Sequence, residues 1–326
     1  MFSHVTGVCV SNILDDQQQG FVLTILARKL QPSALAEVFK LISQFGLSVV
    51  NIQQLTKPVV DDNPLARAAL ECHLQGLLDD LPKARAQLLE LSVSLGIDIA
   101  LQPTAAYNTQ RRLACFDMDS TLIQAEVIDR LAEAAGIGEQ VAEITEQAMQ
   151  GKLDFTESFK RRMALLKGLD ESVLSEIADA LPITEGAERL LKNLKKLGYK
   201  TAIFSGGFTY FGEYLQSKLG IDYVYANQLD VVDGKVTGEV KGEVVDAKKK
   251  AELLKQLAEQ EGLTLAQTVA VGDGANDLLM LAEAGLGVAF HAKPIVKESA
   301  RYSIATLGLD GVLYYLGYSD DELADD

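Results

Sequence analysis

Two aspartates two residues apart, Asp117 and Asp119, follow directly on the apolar run Leu113-Ala114-Cys115-Phe116. Alternate side chains of an extended segment point the same way, so both carboxyl groups leave the end of a buried strand together. Carboxylates held that close cannot both ionise cheaply, and a cation, a shared proton or both must accompany them. Three more polar clusters follow: Ser205-Gly206-Gly207, Lys248-Lys249-Lys250 in a helix beginning near Asp246, and Gly272-Asp273-Gly274-Ala275-Asn276-Asp277. Ligands of open α/β sheets bind beyond the carboxyl ends of the strands. An aspartate pair, a hydroxyl on a Gly-rich turn, a lysine and a second acidic loop suit phosphoryl transfer. Ser205 and the N–H groups after it can hold phosphate oxygens at a helix N-terminus. Lysine supplies a compact positive charge. Asp273 joins Asp117 as an oxygen ligand for Mg²⁺, an ion that takes one or two carboxylates together with phosphate and water. Among the three lysines, Lys250 shares a helix stripe with Leu254 and Leu257, whereas Lys248 falls away from it; Lys249 is the next choice.

The elements that position these residues begin at Leu113. Strand signals at 113–117, 199–205, 224–227, 268–272, 287–290 and 302–305 alternate with helical stretches, which predicts a Rossmann-like parallel α/β sheet. One interval breaks the alternation. Some sixty residues between Asp119 and Pro182 have helical periodicity and no strand, a candidate cap or lid at about 124–184. A second insert, 228–245, contains the hairpin signal Val232-Asp233-Gly234-Lys235-Val236. Upstream, residues 20–102 read as a small α+β unit of β-α-β-β-α-β order. Its strands are expected at 21–26, 47–55, 66–74 and 97–101, its helices at 32–45 and 81–95, and a Pro/Asp/Asn turn at 57–64. The domains are therefore set at 1–102, a linker at 103–112, the α/β domain at 113–318, and an acidic, frayed tail at 319–326. The pair Cys72-His73 reads as a strand residue beside an exposed histidine, Gly285 and Gly287 as turn glycines, and His291 as a loop residue.

At 326 residues the chain is long enough for two domains. A formal net charge of −16 opposes binding to nucleic acid or to an anionic membrane. An anionic substrate must then be held by local cations. No apolar stretch approaches the roughly 18 residues of a membrane span. Met1-Phe2-Ser3-His4 lacks the basic and apolar blocks of a secretory leader. Cys9, Cys72 and Cys115 have no metal-like or disulfide spacing. A reducing, cytoplasmic setting is expected.

The ordered motifs resemble the haloacid dehalogenase superfamily, and closely its phosphoserine phosphatase branch, from about Leu113 to Gly317. The likeness rests on Phe-Asp-Met-Asp-Ser-Thr at 116–121, Glu126, Gly151-Lys152-Leu153-Asp154-Phe155, Arg161-Arg162, Ser205-Gly206-Gly207-Phe208 and Val269 through Asp277. It implies hydrolysis of O-phosphoserine, the last step of serine biosynthesis, through an aspartyl-phosphate. Asp117 would be the nucleophile and Asp119 the general acid and base, the latter also lending a backbone carbonyl to Mg²⁺. Lys250, Ser205 and Gly206 would hold the phosphoryl oxygens. The likeness selects Lys250 too. Asn276 would lie on the substrate side, and Asp277 would orient the water shell of the metal.

Substrate choice falls to the cap. Glu126 would pair with the ammonium of phosphoserine and Arg162 with its carboxylate, with Arg161 as the neighbouring rival and Phe155 packed over the bound amino acid. By itself Glu126 reads as a favourable first-turn acid, and an Arg pair as a solvated face. The N-terminal unit resembles an ACT domain. Its first loop reads Ala27-Arg28-Lys29-Leu30-Gln31-Pro32, without the usual Asp/Pro/Gly turn, so scaffolding or homodimerisation stands beside ligand binding as its expected role. Two other functions remain open: a phosphatase or phosphotransferase of the same superfamily on another small ester, and a non-catalytic amino-acid-sensing regulator.

Overall fold

The computed structural model describes residues 19–57, 65–149 and 152–324. The first unit runs β1 (Gln19–Ala27), α1 (Pro32–Gln44), β2 (Leu47–Gln54), β3 (Ala68–Gly76), α2 (Leu81–Leu95) and β4 (Asp98–Pro103). Its strands form an antiparallel sheet in the order β2-β3-β1-β4. A near-continuous apolar run makes β1 a strand covered on both faces. Phe21, Leu23, Ile25 and Ala27 pack on Val38 and Ile42 of α1 and Ala84 and Leu88 of α2. On the other face Leu26, Leu55, Ala69 and Ala100 belong to the apolar core of the second unit. At the free edge, β2 is exposed along nearly its whole length. The turn expected at 57–64 lies almost wholly outside the described residues.

The segment expected as a linker carries one helical turn, α3 (Thr104–Tyr107). The Tyr107 hydroxyl there donates to the Glu71 carboxylate of β3. The second unit then proceeds through β5 (Leu113–Phe116), α4 (Val127–Ala134), α5 (Gly138–Met149), α6 (Phe155–Leu165), α7 (Val173–Asp179) and α8 (Ala187–Lys196). It continues with β6 (Lys200–Phe208), α9 (Thr209–Leu219), β7 (Tyr223–Val232), β8 (Lys235–Lys241), α10 (Ala247–Gln260) and β9 (Thr268–Gly272). The closing elements are α11 (Leu278–Glu283), β10 (Leu286–Phe290), α12 (Pro294–Ser299), β11 (Tyr302–Ile304) and α13 (Gly311–Tyr315). The sheet order is β11-β10-β9-β5-β6-β7-β8, parallel except for β8. From β5 the chain passes to β6 on one side and returns to β9 on the other. That reversal opens a crevice at the carboxyl end of β5.

The cap is α4–α7, rooted where Ile123 bridges Ile183. The β7–β8 hairpin turns at Asp233 and Gly234, both at positive φ (51° and 72°), as a tight primed turn requires. Its role was not foreseen: it buttresses the cap. Gly168 N–H donates to Val236 O at 2.7 Å, Val236 N–H to Leu169 O at 2.9 Å, and Lys235 pairs with Asp170 at 2.9 Å.

Polar staples join the two units. Arg28 forks onto Glu185 at 2.6 and 2.7 Å. Asp98 accepts from Ala305 N–H and Thr306 N–H, each at 2.9 Å. The tail is docked through Ala324 rather than frayed: Asp320 accepts from Arg189 and from the Tyr314 hydroxyl at 2.8 Å, and Leu323 is buried. Cys72 is a buried strand residue, as the sequence suggested, whereas His73 is only half-exposed, with Nε2 2.7 Å from a Glu71 carboxylate oxygen. Gly285 sits in the bend that joins α11 to β10, as expected, whereas Gly287 lies inside β10 rather than in a turn. At these two positions a Cβ would meet Ala266 O and Leu281 O at 2.1 and 2.0 Å, so both glycines permit close backbone packing. Among the described residues no helix is long and apolar enough to cross a membrane.

Candidate active site

The central strand aims the first aspartate. Phe116 and Asp117 extend the β5–β9 ladder, with Asp117 N–H donating to Val271 O at 2.9 Å, so the carboxyl group emerges at the crevice floor, 4% exposed. Lys250 reaches it from the first turns of α10, which Asp246 caps by accepting from Lys249 N–H at 2.8 Å. The Lys250 side chain is completely buried, with Nζ 2.8 Å from Asp117 Oδ1 and 2.7 Å from Asp277 Oδ1. Its neighbours do not reach Asp117: Lys249 pairs with Glu243, and Lys248, exposed near Glu252, is at the outer lining of the crevice. Burial alone would lower the pKa of Lys250, but Asp117 and Asp277 hold it above its ordinary value.

Among the described residues each aspartate of the pair has one oxygen tied and one unclaimed. Oδ1 of Asp117 takes both Lys250 Nζ and the Met118 N–H at 2.7 Å. Oδ1 of Asp119 accepts the Val127 N–H that opens α4, at 3.0 Å. Its Oδ2 faces Gly207, where a Cβ would stand only 2.7 Å away. Burial, then the charge of Asp277, raises the pKa of Asp117 well above the ordinary range. Burial, then Glu126, does the same for Asp119.

Asp273 follows β9, accepts from Thr121 Oγ1 at 3.1 Å, and is pushed up to about 6 by burial and then by Asp277. One oxygen each of Asp117, Asp273 and Asp277 lie within 4.8 Å of one another. Three clustered carboxylates against one lysine leave an excess of buried negative charge. An all-oxygen donor set of that sign fits a hard divalent cation. Both oxygens of Asp277 are already engaged, Oδ1 by Lys250 and Oδ2 by Gly274 N–H at 3.0 Å.

Ser205, Gly206 and Gly207 do not stand at a helix N-terminus. They lie within β6, and Phe208 is the cap of α9. Phe204 pairs with Tyr225 and Phe208 with Asn227, so four steps on β6 oppose two on β7, and the surplus bulges into the crevice. Ser205 Oγ is turned onto Gly207 N–H at 2.8 Å. A residue that sequence reasoning missed holds this bulge. Asn227 is buried, donates to Gly206 O at 2.7 Å and accepts from Val245 N–H at 2.9 Å, tying the bulge to the entry of α10. Its one sequence signal was a polar side chain at the expected end of a strand.

The crevice opens into a cleft of about 690 Å³ between sheet and cap. Glu126 lines it from the N-cap position of α4, accepting from Ser120 Oγ at 2.8 Å. Arg162 lines it from the last turn of α6, with Nε buried and without a hydrogen-bond partner among the described residues. Burial lowers its pKa while Asp129, Glu126 and Asp119 oppose the shift. Arg161 points outward to Glu157 at 2.5 Å. Gly206, Asp273 and Asn276 also line the cleft, as does Lys293, which sequence reasoning had not singled out. Phe155 opens α6; its side chain, like Gly151, lies outside the described residues.

The haloacid dehalogenase-like hydrolase family matches residues 112–285, the span that carries Asp117, Asp119, Lys250 and Asp273. The chain is 42% identical over 317 residues to a phosphoserine phosphatase of Streptomyces coelicolor, covering 96% of this chain and 75% of that protein. The chain belongs to the haloacid dehalogenase-like hydrolases, on their phosphoserine phosphatase branch. A haloacid dehalogenase family hydrolase from Salmonella enterica serovar Typhi superposes with a TM-score of 0.78 at 31% identity, over 93% of this chain and 99% of that one. A probable phosphoserine phosphatase from Vibrio cholerae, in unliganded form, gives 0.69 at 38% identity over 91% and 86%. Both likenesses extend beyond the hydrolase span into the N-terminal unit, where the β-α-β-β-α-β order stands as expected.

Proposed function

We infer that the chain is a phosphoserine phosphatase, hydrolysing O-phospho-L-serine to L-serine and phosphate as the closing step of serine biosynthesis. The observation that carries this reading is the pairing of two chemistries in one cleft. Asp117, Asp119 and Asp273, with Lys250 buried behind them, form its floor, and Glu126 with Arg162, whose Nε has no hydrogen-bond partner among the described residues, forms its cap side. Phosphate, ammonium and carboxylate each have a counterpart.

In the proposed sequence Asp117 attacks phosphorus through the oxygen that Lys250 and Met118 leave unclaimed, and the bond from phosphorus to the serine oxygen breaks. Asp119, whose burial favours its protonated form, donates to that oxygen from the Oδ2 facing Gly207. Serine leaves, and Asp119 then takes a proton from the water that attacks phosphorus. The bond to Asp117 breaks and phosphate departs. Lys250, Ser205 and Gly206 steady the equatorial oxygens, with Asn276 beside them. Mg²⁺ would be held by Asp117, Asp273 and the Asp119 carbonyl, and when bound it offsets charge on the phosphoryl oxygens. With both oxygens taken, Asp277 orients Lys250 and the loop rather than serving as a ligand. Phe155 is assigned to cover the amino acid.

We assign residues 1–102 to an ACT-like scaffold or regulatory domain, 113–318 to the phosphatase with its cap at about 124–184, and the free edge β2 to homodimerisation. Exposed Val49, Val50 and Ile52 on that edge support the last assignment. Sedimentation of Val50→Lys tests it: an unchanged dimer excludes this edge. Buried Cys72 and Cys115 thiols accord with a cytoplasmic setting.

The test is phosphate release from a panel of small phosphate esters, with and without Mg²⁺. L-phosphoserine should head the panel, and only with metal. A regulator would turn over nothing, and a different phosphatase would leave phosphoserine near the bottom.

A further inference from the structure

A second cavity, of about 250 Å³, lies where the N-terminal unit meets the phosphatase sheet. Its walls are α2 and β4 on one side, and the end of α12 with β11 on the other. Arg85, Lys297 and Arg301 line it, against one acid, Glu298. Among the described residues none of these three cations lies within ion-pair distance of a carboxylate. In a chain of net charge −16, that is a local reversal of sign.

Arg85 is held in place. Its Nε donates to Leu101 O at 3.0 Å and its Nη2 to the Tyr302 hydroxyl at 2.7 Å, with the guanidinium 4.9 Å from the Tyr302 ring centroid. A guanidinium carries five N–H donors, so three are left for a ligand. Arg301 is close enough to oppose the charge of Arg85, and among the described residues its one hydrogen bond goes to Ala282 O at 3.2 Å. Two guanidiniums facing one half-buried space repel unless an anion lies between them. In a third cavity, lined by Arg28, Lys29, Lys57 and Arg67, both guanidiniums already close on carboxylates, Arg28 on Glu185 and Arg67 on Asp310.

We propose that this junction binds a small oxyanion, a carboxylate or phosphate group, gripped by Arg85 and Arg301 with Lys297 at the rim. Apolar Leu88, Ile99 and Leu101 supply the remaining wall, and the volume falls below the ~300–1,000 Å³ of sites for drug-sized ligands. Six-residue α12 is shared by both cavities: Ile295 and Val296 line the catalytic cleft, and Lys297 to Ser299 line this one.

The test is calorimetric titration of the full chain with Mg²⁺ present, using inorganic phosphate and acetate as separate probes. Any catalytic-cleft component is common to wild type and variants. Wild type should bind one oxyanion more than Arg301→Gln and Arg85→Gln, or bind it about tenfold or more tightly. Arg301 is exposed, so its variant carries the test even if Arg85→Gln fails to fold. Saturation by phosphate alone identifies a phosphate ligand; saturation by both identifies a site that takes carboxylates as well. Equal stoichiometry and affinity in wild type and Arg301→Gln, for both probes, overturns the proposal.

Discussion

Replacing Arg162 by Ala should damage turnover of phosphoserine selectively. Arg162 is a cation with its Nε buried and, among the described residues, unpartnered, and its desolvation is already met in the folded chain. A ligand carboxylate therefore gains nearly the full charge-assisted bond. Such bonds contribute about 1.5–3 kcal/mol each. With one bond of a bidentate fork lost and the other taken over by water, kcat/KM for L-phosphoserine should fall roughly 10- to 150-fold. O-phosphoethanolamine keeps the ammonium and the phosphate but has no carboxylate. Its kcat/KM should change by no more than about threefold, the range of a substitution that touches no partner. Arg162→Lys keeps charge without the fork and should fall between. Arg161→Ala, which loses only a surface pair with Glu157, should leave both substrates unchanged. Steady-state phosphate release on the two esters measures all three variants. Equal losses on both substrates for Arg162→Ala would refute carboxylate recognition by this residue.

Lys250→Met removes the one cation between Asp117 and Asp277, and breaking a buried pair from one side costs about 3–5 kcal/mol. At about 2–4 °C per kcal/mol the melting temperature should drop by roughly 6–20 °C, and kcat by about 10²–10³; a melt within 2 °C of wild type, by order of magnitude, counts against the pair. Gly207→Ala would press a Cβ to 2.7 Å from both Asp119 Oδ2 and Met118 Cε. Displacing the proton donor in this way should cost about 10² in kcat, and unchanged kinetics would place the donor elsewhere. Folding raises Asp273 from 3.8 to about 6, so the folded metal-free chain takes up a proton between those values. The stability it contributes is present below 3.8 and is lost as pH rises through 6. Asp273→Asn should flatten that component in melts with chelator, and Mg²⁺ should bind more weakly at pH 5 than at 7.5 and release protons, as calorimetry in two buffers reads.

Local chemistry made much of this site legible. Lys250 was separable from Lys248 because a helix stripe with Leu254 and Leu257 points inward, and all three side chains are buried. The β5 and β9 limits were readable because apolar runs end at an Asp and at a Gly-Asp. What escaped was decided by distant partners. The β6 bulge arises from pairing with β7, which no property of Ser205-Gly206-Gly207 specifies, so a strand was read as a turn before a helix. Asn227 acts on Gly206 and Val245 across about twenty residues in each direction, beyond any local periodicity. Asp320 looked like part of a solvated acidic run because Arg189 and Leu55, which fix it, lie 131 and 265 residues away. The contact of the hairpin with the cap is hidden for the same reason.

The covalent step carries the whole account, and it can be caught directly. Mix the Mg²⁺-loaded chain with L-phosphoserine bearing radiolabelled phosphate, quench in acid within milliseconds, and map the labelled peptide. A hydroxylamine-sensitive phosphoryl group is expected on Asp117 and absent from Asp117→Asn. Steady turnover with no trapped label, or with the label on another residue, would rule out Asp117 as the nucleophile.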